Sequence, residues 1–293
     1  MSARIVAGHD VAAGVIAVTR TRADQFAARI GRRPSLVSVF AGEDAGIRGY
    51  LERQRASAEL AGIDWATAPL PSRAGTTEAS ALVAQLSTEA VVDGIAILFP
   101  LPPAVDVTPL LSVLAPGKDV DGLHPANAGA VACGREDAGF VPCTALGAVA
   151  LAESLVGSLR GLRVTVIGAS IRVGRPLLQL LLNREATVTV AHAATQDLVG
   201  ACRDSELLFV AAGRAGLITA AAIRPDAVVI DIGINVVLAT DMNGGSTQIV
   251  GDVDLTSARS VARAISSVPD GVGPITTAYL MSNTVRAAQA RLR

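Results

Sequence analysis

Arg163-Val164-Thr165-Val166-Ile167-Gly168-Ala169-Ser170-Ile171-Arg172-Val173-Gly174-Arg175-Pro176 reads as an apolar strand, a glycine turn and the opening of a helix. The β-branched run carries no charged interruption, which suits a strand covered on both faces, as in a parallel sheet. Small residues in the turn let backbone amides approach a pyrophosphate, and the helix dipole that follows favours its charge. The spacing is not GxGxxG, so taken alone the turn reads more readily as a structural connection than as a phosphate site. Working outward, Ala145 to Leu159 forms a helix-like connector before this strand. Further apolar strands follow at Thr187 to Ala191, Leu207 to Ala211 and Ala227 to Ile232. This half of the chain is predicted to be a Rossmann-like nucleotide domain.

The first half alternates in the same way. Ala12 to Ile30 has helical spacing, Ser35 to Ala41 is a short strand, Gly49 to Leu60 is helical and Asp64 to Pro69 extended. Thr77 to Leu86 is helical, and Gly94 to Phe99 is an apolar strand ended by Pro100-Leu101-Pro102-Pro103. The alternation predicts parallel strands with helical crossovers, hence an α/β fold. Thr276 to Leu292 is a final Ala- and Arg-rich helix. There is no internal repeat and no low-complexity tract.

Composition narrows the function classes. An apolar fraction of 51% with 17% charged residues, in 293 residues, supports buried cores rather than disorder. A formal charge of −1 gives no long-range attraction for nucleic acid or an anionic membrane. No window reaches the roughly 20 apolar residues of a membrane span and no leader precedes the first helix, so a cytoplasmic protein is expected. Cys133, Cys143 and Cys202 lack CxxC or His/Cys ligand spacing; they are read as small buried apolar residues, with no disulfide framework and no metal site.

Ser267-Val268-Pro269-Asp270-Gly271-Val272-Gly273-Pro274-Ile275-Thr276 is dense in Pro and Gly between two apolar segments and is expected to be a loop with dictated backbone angles. It closely resembles the PVPGGVGPMT signature of the methylenetetrahydrofolate dehydrogenase/cyclohydrolase family, usually called FolD. Tyr50, Lys118-Asp119-Val120-Asp121-Gly122, Pro142-Cys143-Thr144 and Gly251-Asp252-Val253 match further family segments in order, so the resemblance covers nearly the whole chain.

The resemblance implies two α/β domains with a cleft between them. A folate-binding catalytic domain would comprise residues 1–143 with 275–293, and a Rossmann-like NAD(P)-binding domain residues 144–274. In the family's GRSxxVGxP loop, Gly168, Ser170, Val173, Gly174 and Pro176 match, implying a dinucleotide site whose phosphates Arg172 and Arg175 could reach. The second loop position, commonly Arg, is Ala169, and the family's HSRT appears as His192-Ala193-Ala194-Thr195. Two cationic side chains are missing, which tilts the expected cofactor from NADP towards NAD. His192 either contacts the adenosine or simply ends its strand. Thr144, Ala212, Gly213, Gly233, Ile234 and Thr276 are further cofactor-side positions implied by the resemblance.

The family's Tyr-x-x-x-Lys appears as Tyr50-Leu51-Glu52-Arg53-Gln54, with Gly62 in register, so the lysine position holds Gln54. Lys118, the only lysine in the chain, belongs to the KDVDG match. The family's Gln-Leu-Pro-Leu-Pro appears as Leu98-Phe99-Pro100-Leu101-Pro102, and the Ser expected three residues before Tyr50 is Ile47. By resemblance, Tyr50 stacks on the aminobenzoyl part of a folate and Asp121 accepts hydrogen bonds from the pterin. Catalytic positions are therefore Tyr50, Gln54 and Asp121. Leu98, Pro100, Leu101, Pro269, Gly271, Gly273 and Pro274 border the substrate.

Hydride transfer to NAD(P) needs alignment and no lysine, whereas hydrolysis of the methenyl product needs a group that titrates. The expectation is a 5,10-methylenetetrahydrofolate dehydrogenase with weak or absent cyclohydrolase activity. The alternatives are the ordinary bifunctional enzyme of one-carbon metabolism and a non-catalytic folate- or nucleotide-binding paralogue. The family's habit implies a homodimer acting on a tetrahydrofolate derivative.

Overall fold

A computed structural model describes residues 2–42, 45–238 and 247–292. The chain begins β1 (Arg4–Val6), α1 (His9–Ile30), β2 (Ser35–Ala41), α2 (Ala45–Ala61), β3 (Asp64–Leu70), α3 (Thr76–Thr88) and β4 (Gly94–Ile97). Then come α4 (Val107–Val113), α5 (Pro125–Ala132), α6 (Cys143–Val156), β5 (Arg163–Ile167), α7 (Gly174–Asn183), β6 (Thr187–Ala191), α8 (Leu198–Cys202) and β7 (Leu207–Val210). β8 (Val228–Asp231), the hairpin β9 (Asn235–Leu238) and β10 (Thr247–Val250), α9 (Leu255–Ala258), β11 (Ala264–Ser266) and α10 (Val272–Ala290) complete it. No described helix is long and apolar enough to cross a membrane.

The chain divides into two compact units, Met1–Ala12 with Thr144–Thr276 and Ala13–Cys143 with Thr277–Arg293. The first residues thus leave the unit in which sequence reading placed them. β1 is too short to announce itself, and it joins the nucleotide sheet by pairing in parallel with β11, Ile5 opposite Ile265.

The nucleotide unit is a six-stranded parallel sheet in the order β1-β11-β8-β7-β5-β6. The order reverses between β5 and β7, and in open α/β sheets the crevice outside the carboxyl ends at such a point is where ligands bind. Its central strands are buried throughout, as their unbroken apolar runs require. The other unit has a three-stranded parallel sheet, β3-β2-β4, reversing at β2. One apolar cluster packs α3 and α4 with the sheet through residues such as Val83, Leu110 and Ile95. A second gathers Leu36, Ala58, Leu98 and Met281.

Two expectations need correction. The run Ser267–Thr276 is not loop throughout, because α10 starts at Val272. Pro274 sits in its first turn, where a missing N–H costs nothing because that amide has no intrahelical partner. Cys143 and Cys202 are buried but Cys133 is exposed, being the residue that ends the short α5.

Candidate active site

In the β3-β2-β4 unit, α2 follows the central strand and carries Tyr50 and Gln54 one turn apart on the same face. Gln54 is only 1% exposed, whereas Arg53 and Arg55 beside it are exposed, so neither guanidinium enters the buried site with it. Ser38 Oγ donates to Gln54 Oε1 at 2.6 Å. The Trp65 indole Nε1 donates to Ser38 Oγ at 3.1 Å and lies 3.4 Å from Gln54 Oε1. Gln54 Nε2 is buried with no partner in hydrogen-bond geometry among the described residues. It lies near enough to the Tyr50 hydroxyl to favour the phenolate, but burial and then the charge of Asp121 outweigh it and hold the Tyr50 pKa above the ordinary tyrosine range.

Asp121 also adjoins Cys143. Burial first, and Asp121 second, hold that thiol well above its usual range. The Cys143 thiol donates to Val120 O at 3.3 Å, and Asn283 Nδ2 from α10 donates to the same carbonyl at 2.9 Å. Tyr50, Gln54 and Asp121 therefore converge. Leu98 and Ile47, where polar partners of a lysine were expected, are buried apolar residues. Pro100 is exposed and Leu101 half-buried beyond β4, after a cis Phe99-Pro100 bond. One face of the Tyr50 ring is taken by Arg53, 5.8 Å from its centroid.

Lys118 is occupied elsewhere. Its Nζ donates to Glu89 O at 2.6 Å and Leu86 O at 3.2 Å, capping the carboxyl end of α3, and burial and then Arg291 lower its pKa. Ser38, Trp65 and Asn283 were missed in the sequence. The signal for two of them was present: Ser38 is the polar residue inside Leu-Val-Ser-Val-Phe, and Trp65 is the single tryptophan.

In the nucleotide unit the glycine turn is built tightly. Gly168 has φ +108°, and a Cβ there would lie 2.1 Å from Ala211 O; a Cβ on Gly174 would lie 1.9 Å from Gly168 O. The turn is closed by Val173 N donating to Ser170 Oγ at 3.2 Å and Arg175 N to Ser170 O at 3.0 Å. The N-cap of α7 is Val173, whose side chain has no polar atom to cap the helix. The cradle fits a dinucleotide pyrophosphate: glycines where backbones must meet, and a helix N-terminus facing the strand end. Arg172 is exposed, while Arg175 Nε donates to Ala169 O at 3.2 Å and so braces the turn. Pro176, inside the first turn of α7, is half-buried.

Beyond β6, His192 Nδ1 accepts from Ala194 N at 3.2 Å and His192 N donates to Thr195 Oγ1 at 2.9 Å, so His192 to Thr195 is a self-closed turn without an Arg or Lys side chain. The carboxyl ends of β7 and β8 are held by two buried carboxylates. Asp252 accepts from the amides of Ala212, Gly213 and Arg214 at 2.6–2.8 Å and from Asn235 Nδ2 at 2.8 Å. The amides of Ala212 and Gly213 are thus used internally, and these residues offer only a wall.

Asp231 accepts from Gly233, Asp252 and Val253 amides at 3.0 Å, yet burial raises its pKa to about 6. A Cβ on Gly233 or on Gly251 would strike Asp252 or Asp231 at 2.2 and 1.9 Å, which explains both glycines. A cavity of about 520 Å3 borders Asp231, Gly251, Ser266 and Val268. Ile234 is 57% exposed at the start of β9. Thr144 is half-buried at the start of α6, and Thr276 is nearly buried with its hydroxyl donating to Val272 O at 3.1 Å. Pro269 follows a cis bond, and Gly271 N donates to Ser267 O at 2.8 Å just before Gly273 and Pro274 open α10. Among the described residues no cluster of His, Cys, Asp and Glu is arranged to hold a metal ion.

A parallel sheet with a pyrophosphate cradle, joined to an α/β unit with a three-stranded sheet and a buried polar site, defines a dinucleotide-dependent two-domain α/β enzyme. Residues 6–121 match the tetrahydrofolate dehydrogenase/cyclohydrolase catalytic domain, and residues 142–292 match the NAD(P)-binding domain of the same family. The chain belongs to the tetrahydrofolate dehydrogenase/cyclohydrolase family. It is 42% identical over 289 residues to bifunctional protein FolD 3 of Rhizorhabdus wittichii, covering 99% of this chain and 94% of that one. The structure of the Trypanosoma brucei enzyme, solved with NADP and an inhibitor, superposes with a TM-score of 0.92 at 32% identity, covering 100% of this chain and 99% of that one. The Campylobacter jejuni FolD structure gives 0.89 at 33% identity, covering 99% of this chain and all of that one.

Proposed function

We propose that this protein is a 5,10-methylenetetrahydrofolate dehydrogenase whose methenyltetrahydrofolate cyclohydrolase activity is absent or greatly reduced. The observation that carries the reading is Gln54, a buried amide at the position where the family's lysine is expected. In the oxidation, the C–H bond of the carbon between two folate nitrogens breaks with both electrons leaving as hydride, and the nitrogen lone pairs stabilise the cation formed. Gly168, Ser170 and Gly174 of the glycine turn would hold NAD(P)+, which when bound would supply the hydride acceptor. Tyr50, Leu98, Pro100 and Leu101 hold the folate, Asp121 accepts hydrogen bonds from its pterin edge, and buried Leu98 and Ile47 keep water away. No protein proton moves.

Hydrolysis is different: water must add to the methenyl carbon and lose a proton while a nitrogen gains one. Gln54 cannot titrate, and Tyr50 is held in its protonated form by burial, so neither can act as a general base near neutrality. Gly168, Ser170, Val173 and Gly174 would carry the pyrophosphate, with Arg172 in reach. The His192 to Thr195 turn, with no Arg or Lys, favours NAD over NADP, since a 2′-phosphate needs charge-assisted partners.

A second reading, a bifunctional enzyme, draws on the name of the 42%-identical relative. The deciding test is a time course with 5,10-methylenetetrahydrofolate and either NAD or NADP, following methenyl product and reduced nicotinamide together. The proposal expects both to rise in step, with methenyl lost only at the enzyme-free rate and NAD the better acceptor. Faster methenyl loss would establish the bifunctional enzyme, and no reduction at all would leave a binding paralogue. A cytoplasmic homodimer is part of the proposal. Ile234, Val236 and Leu238 form an exposed apolar stripe on one face of the hairpin, in keeping with association.

A further inference from the structure

Gln54 is not simply a lysine lost. Its amide is held in one orientation by a relay of donors, and the chemistry of the end member sets the direction. An indole N–H donates and cannot accept, so the Trp65 Nε1 proton, 3.1 Å from Ser38 Oγ, must be received by the hydroxyl oxygen. That leaves the hydroxyl proton of Ser38 for Gln54 at 2.6 Å. The amide atom facing it, also 3.4 Å from the indole nitrogen, is therefore the oxygen. Turning the amide over would set two donors against each other in a buried site. Nε2 consequently points away from the relay, on the Tyr50 side, buried and without a partner in hydrogen-bond geometry among the described residues. Ser38 is fully buried on the central strand β2, and such a donor inside a sheet is costly unless it is used.

We propose that Ser38 and Trp65 are positioning residues that lock the Gln54 amide so that its NH2 group is a fixed, neutral donor to a hydrogen-bond acceptor of the bound folate. This rests on the folate reading above and adds how the ligand is read. A neutral donor suits the uncharged one-carbon bridge of the methylene substrate and does not repel the cationic methenyl bridge of the product, which an ammonium at the same place would. The pocket is thereby arranged to hold the product of the oxidation.

The test uses the intact protein and its single tryptophan as a reporter. Tetrahydrofolate titrated into the wild type is expected to change Trp65 emission. Ser38→Ala, which frees the amide to turn, is expected to weaken tetrahydrofolate binding about tenfold and to raise KM more than it lowers kcat. Ser38→Thr, which keeps the hydroxyl, restores binding. In a Gln54→Leu background the Ser38→Ala change is expected to have no further effect on affinity, a coupling that a purely structural role for Ser38 would not produce. Affinity unchanged in Ser38→Ala, or lost equally in the Gln54→Leu background, overturns the inference while leaving the folate reading intact. Absence of any tetrahydrofolate binding by the wild type, by emission and by calorimetry, overturns both.

Discussion

An ammonium and an amide at position 54 differ in one respect that hydrolysis reads and hydride transfer does not: only the ammonium can give up a proton. Gln54→Lys is therefore expected to create methenyltetrahydrofolate loss above the enzyme-free rate, with dehydrogenase activity within about tenfold of wild type, at a stability cost of about 1–3 kcal/mol for burying a charge beside Ser38 and Trp65. A variant that reduces NAD but still leaves methenyl to decay spontaneously would show that the missing lysine is not the cause. Asp231 makes a second residue-level prediction. Burial raises its pKa from an ordinary 3.8 to about 6, so the folded chain holds this proton more tightly than the unfolded chain. The stability it contributes is complete below about pH 4 and is lost as pH rises through about 6, the reverse of a salt-bridged carboxylate, with a magnitude on the order of 3 kcal/mol. The Tm of wild type relative to Asp231→Asn should fall between pH 4 and 7; a constant difference would contradict the raised value. Sequence reading placed Asp231 near the end of the strand Ala227 to Ile232 but could not see its role, because two of its three amide donors, Asp252 and Val253, lie about twenty residues away and reach it only once the chain has folded.

At the scale of elements, the glycine turn and α7 are joined by contact with no slack. Gly174→Ala would drive a Cβ to within 1.9 Å of Gly168 O, and since that oxygen is main chain and the Cβ has no rotamer to escape by, the turn must open. NAD(P) affinity is expected to fall at least about tenfold and stability by about 1–3 kcal/mol, read by calorimetric titration and thermal melting. The carboxyl end of α3 gives a contrasting case. Lys118→Met keeps the apolar stem but abandons the Leu86 and Glu89 carbonyls, with an expected loss of about 1.5–3 kcal/mol in chemical denaturation and no change in kcat for hydride transfer. A fall in kcat at unchanged stability would mean that Lys118 serves the chemistry after all. The strand–turn–helix pattern around Gly168 was legible because period and turn chemistry are local. The start of α10 at Val272 was not, because Pro274 tells equally of a loop or of a helix's first turn, and packing chooses between them.

For the whole molecule, the allegiance of the first residues carries a prediction. Ala3 and Arg4 amides donate to Arg259 and Arg263 carbonyls, and Gly8 N donates to Asp270 O. Removing residues 2–8 should expose the edge of β11, so that hydrogen exchange rises in Ala264–Ser266 while Leu36 to Val39 stays protected. Equal loss of protection in both sheets would argue that the two units do not behave as separate cores. What the sequence determined by itself is the α/β class, the ordered family motifs and the fact that position 54 cannot titrate, because periodicity, turn chemistry and side-chain identity are all local properties. Only the tertiary structure decided that β1 belongs to the nucleotide sheet, that Lys118 is a helix cap, that Asp231 and Asp252 hold the strand ends, and that Trp65 through Ser38 sets which way the Gln54 amide faces. Each depends on groups far apart in the chain that meet only when the sheets close, and the demand that buried donors find acceptors selects one arrangement among those the sequence permits.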